Sequence, residues 1–582
     1  MNKLMLSAAA LMCGTIVFAQ TNQSTVNQTG NGNGSGVTQT GLTNKSDVLQ
    51  TGDDNGSAVG QNGTSNKSDV DSVGDRNDSS VLQNGDTNIS EVRQSTDFQI
   101  NTSSNDNTST VTQVGTSNDQ FVWQDGDNNT ASLDQDGTSN KSYVDQWGND
   151  NTSASNQNGT SNDSRVLQGY GVLGDGSHTS LVTQDGTSND SDVIQRGGLS
   201  NDSYVLQDGT SNGSDVLQNG DNNSSDATQD GTSNKSDVDQ IGDSNKSIVF
   251  QDGDNNVSDV DQNGGLNRSR VFQVGDDNAS VVDQDGNSNI SFVRQNGIEN
   301  ESNVVQGGDV NKSRVIQIGT DNTSFVDQGG NGYTSNDNYS LVRQKGDNNS
   351  SDTNQYGTLG SDDNESYVRQ IGDDNTSTVD QDGDSNDSDV LQRGDDNDSD
   401  VDQDGDNNDS DVDQNGDNND SDVDQEGIEN TSMVDQDGLE NNSDVTQNGN
   451  NNTSEVTQDG TFNKSDVDQD GDLNYSLVSQ TGGDRNDSDV DQDGFDNDSY
   501  VYQIGSDNLS EVSQGGDFNL SEVSQTGDDN RSYVTQDGFE LESFVIQQGN
   551  LNTSTVTQNG NNHTSTVNQI GNSNTSTVTQ SN

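Results

Sequence analysis

Aspartates set two apart beside a glycine are the residues of this chain best suited to chemistry. Asp402-Gln403-Asp404-Gly405-Asp406 is one example of many. Carboxylates and turn carbonyls are hard oxygen donors, so Asp402, Asp404 and Asp406 could take Ca2+. The motif lacks the closing Glu of a helix-flanked calcium loop. A solvated acidic face with diffuse counterions is therefore the competing reading, and no metal or other cofactor is firmly assigned. The same aspartates recur along the chain, whereas an active site is usually unique. The two histidines, His178 and His563, lie far apart in sequence and have no cysteine or triad partner beside them. The residues thus point away from an enzyme, and no catalytic residue is assigned. With 22 basic residues against 100 acidic ones, the net charge of −78 would repel nucleic acid.

Those aspartates are carried by an eleven-residue unit. One copy runs from Ser399 to Asp409, and Ser410 opens the next; the pattern is S-x-V-x-Q-x-G-x-x-N-x. In a strand, residues two apart share a face. Ser399, Val401 and Gln403 therefore point one way, and Asp400, Asp402 and Asp404 the other. Gly405 to Asn408 form a tight turn, since Gly permits positive φ and Asn tolerates it. Ser410, Val412 and Gln414 then begin the next strand. Spacing by eleven with alternating neighbours makes no helical stripe. The unit predicts an all-β fold: a repetitive β-solenoid with two strands per 22-residue coil, stacked in an amyloid-like cross-β manner. About 49 such half-repeats end in the Gln position, from Gln28 to Gln580.

Only 23% of residues are hydrophobic and proline is absent. That is too little apolar surface for several globular cores, and the missing proline suits a continuous hydrogen-bonded ladder. The interior is expected to hold one valine per strand, with Ser, Gln and Asn. Their amides and hydroxyls are expected to bond to the same residue one rung above and below. Longer spacings at residues 95–112, 169–183, 329–343 and 356–369, and extra glycines near Gly198 and Gly483, are expected to be bulged loops. Ser72 stands where the pattern has glutamine.

Residues 1–19 differ. Lys3 precedes a mostly apolar stretch from Leu4 to Phe18, and Val17-Phe18-Ala19 suits cleavage after Ala19. This reads as a secretory signal peptide, too short for a membrane span. It would carry away Cys13, the only cysteine, leaving residues 20–582 as the repeat region.

The repeat resembles the curlin repeat, the amyloid-forming repeat of curli fibre subunits. Gln392, Gly394, Asn397, Ser399 and Gln403 overlay half of the family pattern, with Ser399 where the family usually has Ala. The resemblance implies a secreted structural subunit that self-associates into extracellular fibres at the cell surface. Such fibres serve adhesion and biofilm matrix. It also implies partners in the form of curli-type secretion and nucleation proteins. The strand spacing is shorter than the family's, the chain longer, and the outward positions more acidic. A monomeric acidic cell-surface adhesin, or a Ca2+-binding rod, is the alternative.

The charge is graded. No acidic residue precedes Asp47 and none follows Glu542, so residues 20–46 and 543–582 form neutral end repeats. Stacked aspartates at about 4.8 Å repel by about 0.9 kcal/mol per pair in water. The acidic body would keep solenoids apart, and the neutral ends would let them join. Thr555, Val556, Thr557, Gln558, Thr566, Val567, Gln569, Thr577, Val578 and Gln580 are the residues expected to make end-to-end contacts.

Overall fold

The computed structural model describes residues 21–95, 104–169, 176–329, 335–356 and 363–582. The expected signal peptide and Cys13 lie outside the described residues. Two compact units form, Met1–Ser188 and Asn189–Asn582. The described residues hold strands and turns and no helix. Among them, no helix is long and apolar enough to cross a membrane.

In the first unit, successive strands alternate between two parallel sheets. Gln23–Thr29 pairs with Lys45–Thr51, and Gly34–Leu42 pairs with Gly56–Thr64. Each pair is in register, with Val26 opposite Val48 and Gln39 opposite Gln61. The second unit repeats this plan. Asp398–Asp406 pairs with Asp420–Ile428, setting Ser399, Val401 and Gln403 on Ser421, Val423 and Gln425. Asp409–Asp417 does the same in the other sheet, with Ser410, Val412 and Gln414 on Ser432, Val434 and Gln436. Each unit is thus a β-solenoid with two strands per coil of about 22 residues, as the alternation in the repeat predicts.

Burial follows the same alternation. Val401, Val412, Gln403 and Gln414 are fully buried, and the Asp positions between them are exposed or half-buried. Burying a valine contributes about 1.5–3 kcal/mol. With one valine per strand, the polar side chains must supply the rest of the specificity.

The turn is built on two residues with positive φ. Gly405 has φ 122° and Asn407 has φ 59°, while Asn408 swings inward. A Cβ on Gly405 would collide with the Gly427 carbonyl oxygen one coil on, so only glycine fits. The second position is more tolerant and holds Ser, Asp, Glu, Leu and Phe in other coils.

The inserted residues do not break the stacking. Asp78 faces Thr108 thirty residues later, Thr152 faces Thr179, and Ser350 faces Thr376, each with full in-register strands following. The extra glycine at Gly483 makes a register shift between Gln458 and Gly460, the bulge its position predicts.

One expectation fails. The inward serines do not form a hydroxyl ladder: Ser399, Ser410 and nearly every equivalent Oγ among the described residues lack a hydrogen-bond partner. The reason is reach. Stacked inward serines repeat their single Oγ at the rung spacing of about 4.8 Å, too far for a hydrogen bond, whereas the separate Nε2 and Oε1 of glutamine divide that gap. The serines act as small spacers between valine layers.

Candidate functional site: side-chain ladders, outward faces and open ends

Glutamine forms the main ladder. Gln403 Nε2 donates to Gln425 Oε1 at 2.8 Å, and Gln403 Oε1 accepts from Gln381 Nε2 at 2.9 Å. Its second N–H crosses to the facing strand and donates to the Asp387 carbonyl at 3.0 Å. Gln414 repeats this in the other sheet, donating to Gln436 Oε1 and the Asp398 carbonyl. One side chain thereby ties three strands together, and stacked amides polarise one another in the low-dielectric interior. These amide-to-amide bonds all donate toward the higher residue number, so the amide chain has a direction.

Asparagine forms a second ladder at the turn. Asn408 Oδ1 accepts the backbone N–H of Asn430, and Asn408 Nδ2 donates to the Gly427 carbonyl at 3.2 Å. This satisfies turn backbone groups that would otherwise be buried unpaired. His178 and Leu541 occupy equivalent buried positions, where His178 N–H donates to Asn151 Oδ1 and Leu541 N–H to Asn519 Oδ1. His563 holds the same turn position, its carbonyl accepting from Glu542 N–H. These are ladder roles, not catalytic ones.

A third ladder runs along the turn. The residue after the turn glycine is often Asp, and its carboxylate accepts the backbone N–H of its counterpart one coil earlier. Asp373 N–H donates to Asp395 Oδ1, and Asp395 N–H to Asp417 Oδ1. Asp406 accepts from Asp384 N–H at 3.1 Å in this way. The signal was present in the frequent Gly-Asp pairs, but their acceptor role depends on the neighbouring coil.

These contacts bear on the calcium reading. Asp402 and Asp404 stand on the outward face, whereas Asp406 is engaged at the turn. Among the described residues, no group of three His, Cys, Asp or Glu side chains is arranged to hold a metal ion. The outward aspartates crowd one another instead. Burial, followed by the neighbouring carboxylates Asp424, Asp400 and Asp404, raises Asp402 above the usual carboxylate range. The same causes push Asp422 up to about 6.

One aromatic cluster lies on the outward face of the first unit. The Phe121 and Tyr143 rings stack at 4.9 Å, and the Trp123 and Trp147 rings lie 6.1 Å apart. Trp147 Nε1 donates to Asp145 Oδ1 at 2.6 Å. Burial dominates over that hydrogen bond and pushes Asp145 up to about 6.

The ends of the stacks are open. Thr564–Ile570 and Thr575–Ser581 pair on one side only among the described residues. Thr566, Val567, Gln569, Thr577, Val578 and Gln580 lie on these edge strands. Thr555, Val556, Thr557 and Gln558 lie one coil inward, paired on both sides. In the first unit, Gln23–Thr29 and Gly34–Leu42 also have one free side among the described residues, and Val26 is 43% exposed.

A family model described as the curlin associated repeat matches nine segments: residues 105–137, 126–154, 372–405, 394–427, 428–460, 463–494, 483–515, 511–538 and 549–581. This is a curlin-repeat protein. No curated protein matches the chain. The matched segments of this curlin-repeat protein include Gln403, Gly405, Asn408 and Gln414, the residues that build the two inward ladders and the turn. The family signature is therefore the stacking chemistry itself.

Proposed function

We propose that the chain is a secreted structural subunit of curli-like extracellular fibres, serving cell adhesion and biofilm matrix, with copies joined end to end. The observation that carries this reading is the chemical complementarity of the open edges. Gln569 and Gln580 each donate one N–H inward, to the Thr553 and Thr564 carbonyls, and keep the second free. Gln28 and Gln39 each donate onward, to Gln50 and Gln61, and their Oε1 atoms accept nothing among the described residues. One extreme offers amide donors and the other amide acceptors, with unpaired strand edges beside both. A head-to-tail contact between copies continues both ladders, and a heterologous contact of this kind grows a filament. The neutral end repeats remove the carboxylate repulsion that would oppose it. Export through residues 1–19 and help from secretion and nucleation proteins belong to the same reading.

Val578→Asp tests it. Val578 is half-exposed in the free chain, so the substitution is tolerated there, but docking of another copy would bury the carboxylate unpaired. Growth of thioflavin-positive fibres, followed by electron microscopy, should slow by about tenfold or more, equivalent to at least about 1.4 kcal/mol. Unchanged growth, or wild-type chains that stay monomeric, would remove the end-to-end reading and favour a monomeric adhesin.

A further inference from the structure

Nine of the 22 Lys and Arg residues fall within residues 246–369, and all nine face outward from one sheet of the second unit. Arg268, Arg270, Arg294, Arg314, Arg343 and Arg369 are joined there by three lysines. The six strands that carry them, from Lys246–Asp254 to Glu365–Ile371, hold only four acids: Asp252, Asp254, Asp276 and Glu365. In a chain of net charge −78 this is a local reversal of sign. None of the nine has an ion pair within the chain among the described residues.

The arrangement is ordered as well as basic. Up one column, Arg270 is followed by Phe292, Arg314, Leu341 and Tyr367. Up the next, Phe272 is followed by Arg294, Ile316, Arg343 and Arg369, the last two on adjacent rungs. Apolar side chains separate the arginines in the first column by about two rungs, roughly 9.6 Å, which weakens their mutual repulsion. Phe272 and Phe292 pack with centroids 5.8 Å apart, and the Arg314 guanidinium lies 5.5 Å over the Phe292 ring. The arginines are thus held on a firm apolar bed, a chemistry that suits a protein interface with charged anchors.

The complementary surface is on the same chain. In the other sheet, Asp400, Asp422, Asp444, Asp466 and Asp489 stack one per rung. Burial raises Asp400, Asp422, Asp444 and Asp489 above the usual carboxylate range, and Lys464 Nζ lies 4.0 Å from Asp466 in the same ladder.

We propose that the Lys246–Ile371 face docks laterally on the Asp400–Asp489 face of a second copy. Both surfaces are parallel β ladders and share one rung spacing, so charges that meet at one rung meet again along the contact. The two faces belong to opposite sheets and to different coils of the unit. Each copy therefore uses both at once, one toward each neighbour, and the contact is staggered and open-ended. Lateral docking does not depend on end-to-end growth. A nucleic acid is the weaker occupant, because acidic ladders at residues 387–493 adjoin the basic strip and repel phosphate.

The test uses the full chain carrying Arg270→Glu, Arg314→Glu and Arg343→Glu. At about 50 mM salt the wild type should associate laterally in sedimentation and electron microscopy, and at about 500 mM salt it should disperse. The triple variant should lose lateral association by about tenfold or more, with its thioflavin growth rate unchanged. Adding Asp400→Lys, Asp422→Lys and Asp444→Lys to the triple variant should restore pairing by the swapped charges. Association of the triple variant equal to wild type overturns the proposal. So does wild-type chain that fails to pair but binds a duplex of about 30 base pairs. Loss of fibre growth with lateral pairing intact would count against end-to-end assembly alone and would support the lateral contact.

Discussion

Replacing Gln403 by leucine should open a local fault in the second unit. The side chain makes three hydrogen bonds: one accepted from Gln381, one donated to Gln425, and one donated to the Asp387 carbonyl. Leucine fills a similar volume but makes none of them. Gln381 keeps its bond to the Glu365 carbonyl and loses one N–H partner, while Gln425 Oε1 loses its donor. Each buried group left unpaired costs about 1–3 kcal/mol. The added apolar burial offsets part of this, leaving a net penalty of about 3 kcal/mol. A second, adjacent change, Gln425→Leu, should add much less. It moves the stranded acceptor one rung, to Gln447, without creating another break in the amide chain. The double variant should therefore cost about 4 kcal/mol rather than the additive 6 or so. A repeat array opens locally, so global melting is the wrong readout. Hydrogen exchange of the Asp398–Asp406 amides should quicken by about two orders of magnitude in the single variant. Protection altered by less than about 0.5 kcal/mol, or a strictly additive double variant, would refute the account of the glutamines as one connected chain.

Ser72 supplies the reverse experiment. It interrupts the ladder: Ser72 Oγ reaches Gln94 Oε1 at 3.0 Å, but Gln50 Nε2 turns to the Gly34 and Asn55 carbonyls. Ser72→Gln should reconnect Gln50 with Gln94 and slow exchange of the Lys67–Val73 amides by about 1 kcal/mol; faster exchange would show that the gap has closed against a larger side chain. Stability should also depend on pH with a definite sign. Asp145 and Asp422 are both pushed up to about 6, above the ordinary 3.8, so the folded chain binds these protons more tightly than the unfolded one. Their stability contribution is greatest below about pH 4 and is lost as pH rises through about 6. For the largely buried Asp145 the shift corresponds to about 3 kcal/mol; Asp422 is more exposed, and solvent screening reduces its share. The only two tryptophans, Trp123 and Trp147, lie beside Asp145 and report on it. Their fluorescence should titrate with a midpoint near 6 and lose that transition in Asp145→Asn, and a flat wild-type profile between about pH 4.5 and 7.5 would contradict the assignment.

Much of this protein is legible from the period alone. Strand side chains alternate, so an eleven-residue unit assigns Val401 and Gln403 inward and Asp400 and Asp402 outward before any coordinates exist. The coil of two units, the glycine turn and the bulge at Gly483 follow by the same reasoning. Glutamine predicts a ladder because an amide both donates and accepts. Serine predicts the same by local chemistry, but equivalent Oγ atoms repeat one full rung apart, and Ser399 Oγ finds no partner. By local chemistry the carboxylate of Asp406 suits a metal ion, and the coil before it decides otherwise. Its acceptor role involves Asp384 N–H, twenty-two residues earlier in the chain.

The sequence by itself determined what each coil is made of, because strand geometry and turn sterics are local. Only the tertiary structure decided what the coils do to one another. Within each unit the stacking direction gives the glutamine ladder one sense, and this leaves Gln580 a donor edge in the second unit and Gln28 an acceptor edge in the first. The alternation of sheets brings together residues 22 or more apart, and this gathers Arg270, Arg314 and Arg343 on one face while Asp400, Asp422 and Asp444 line the other. Direction and sidedness are properties of the stack, and no single repeat contains either.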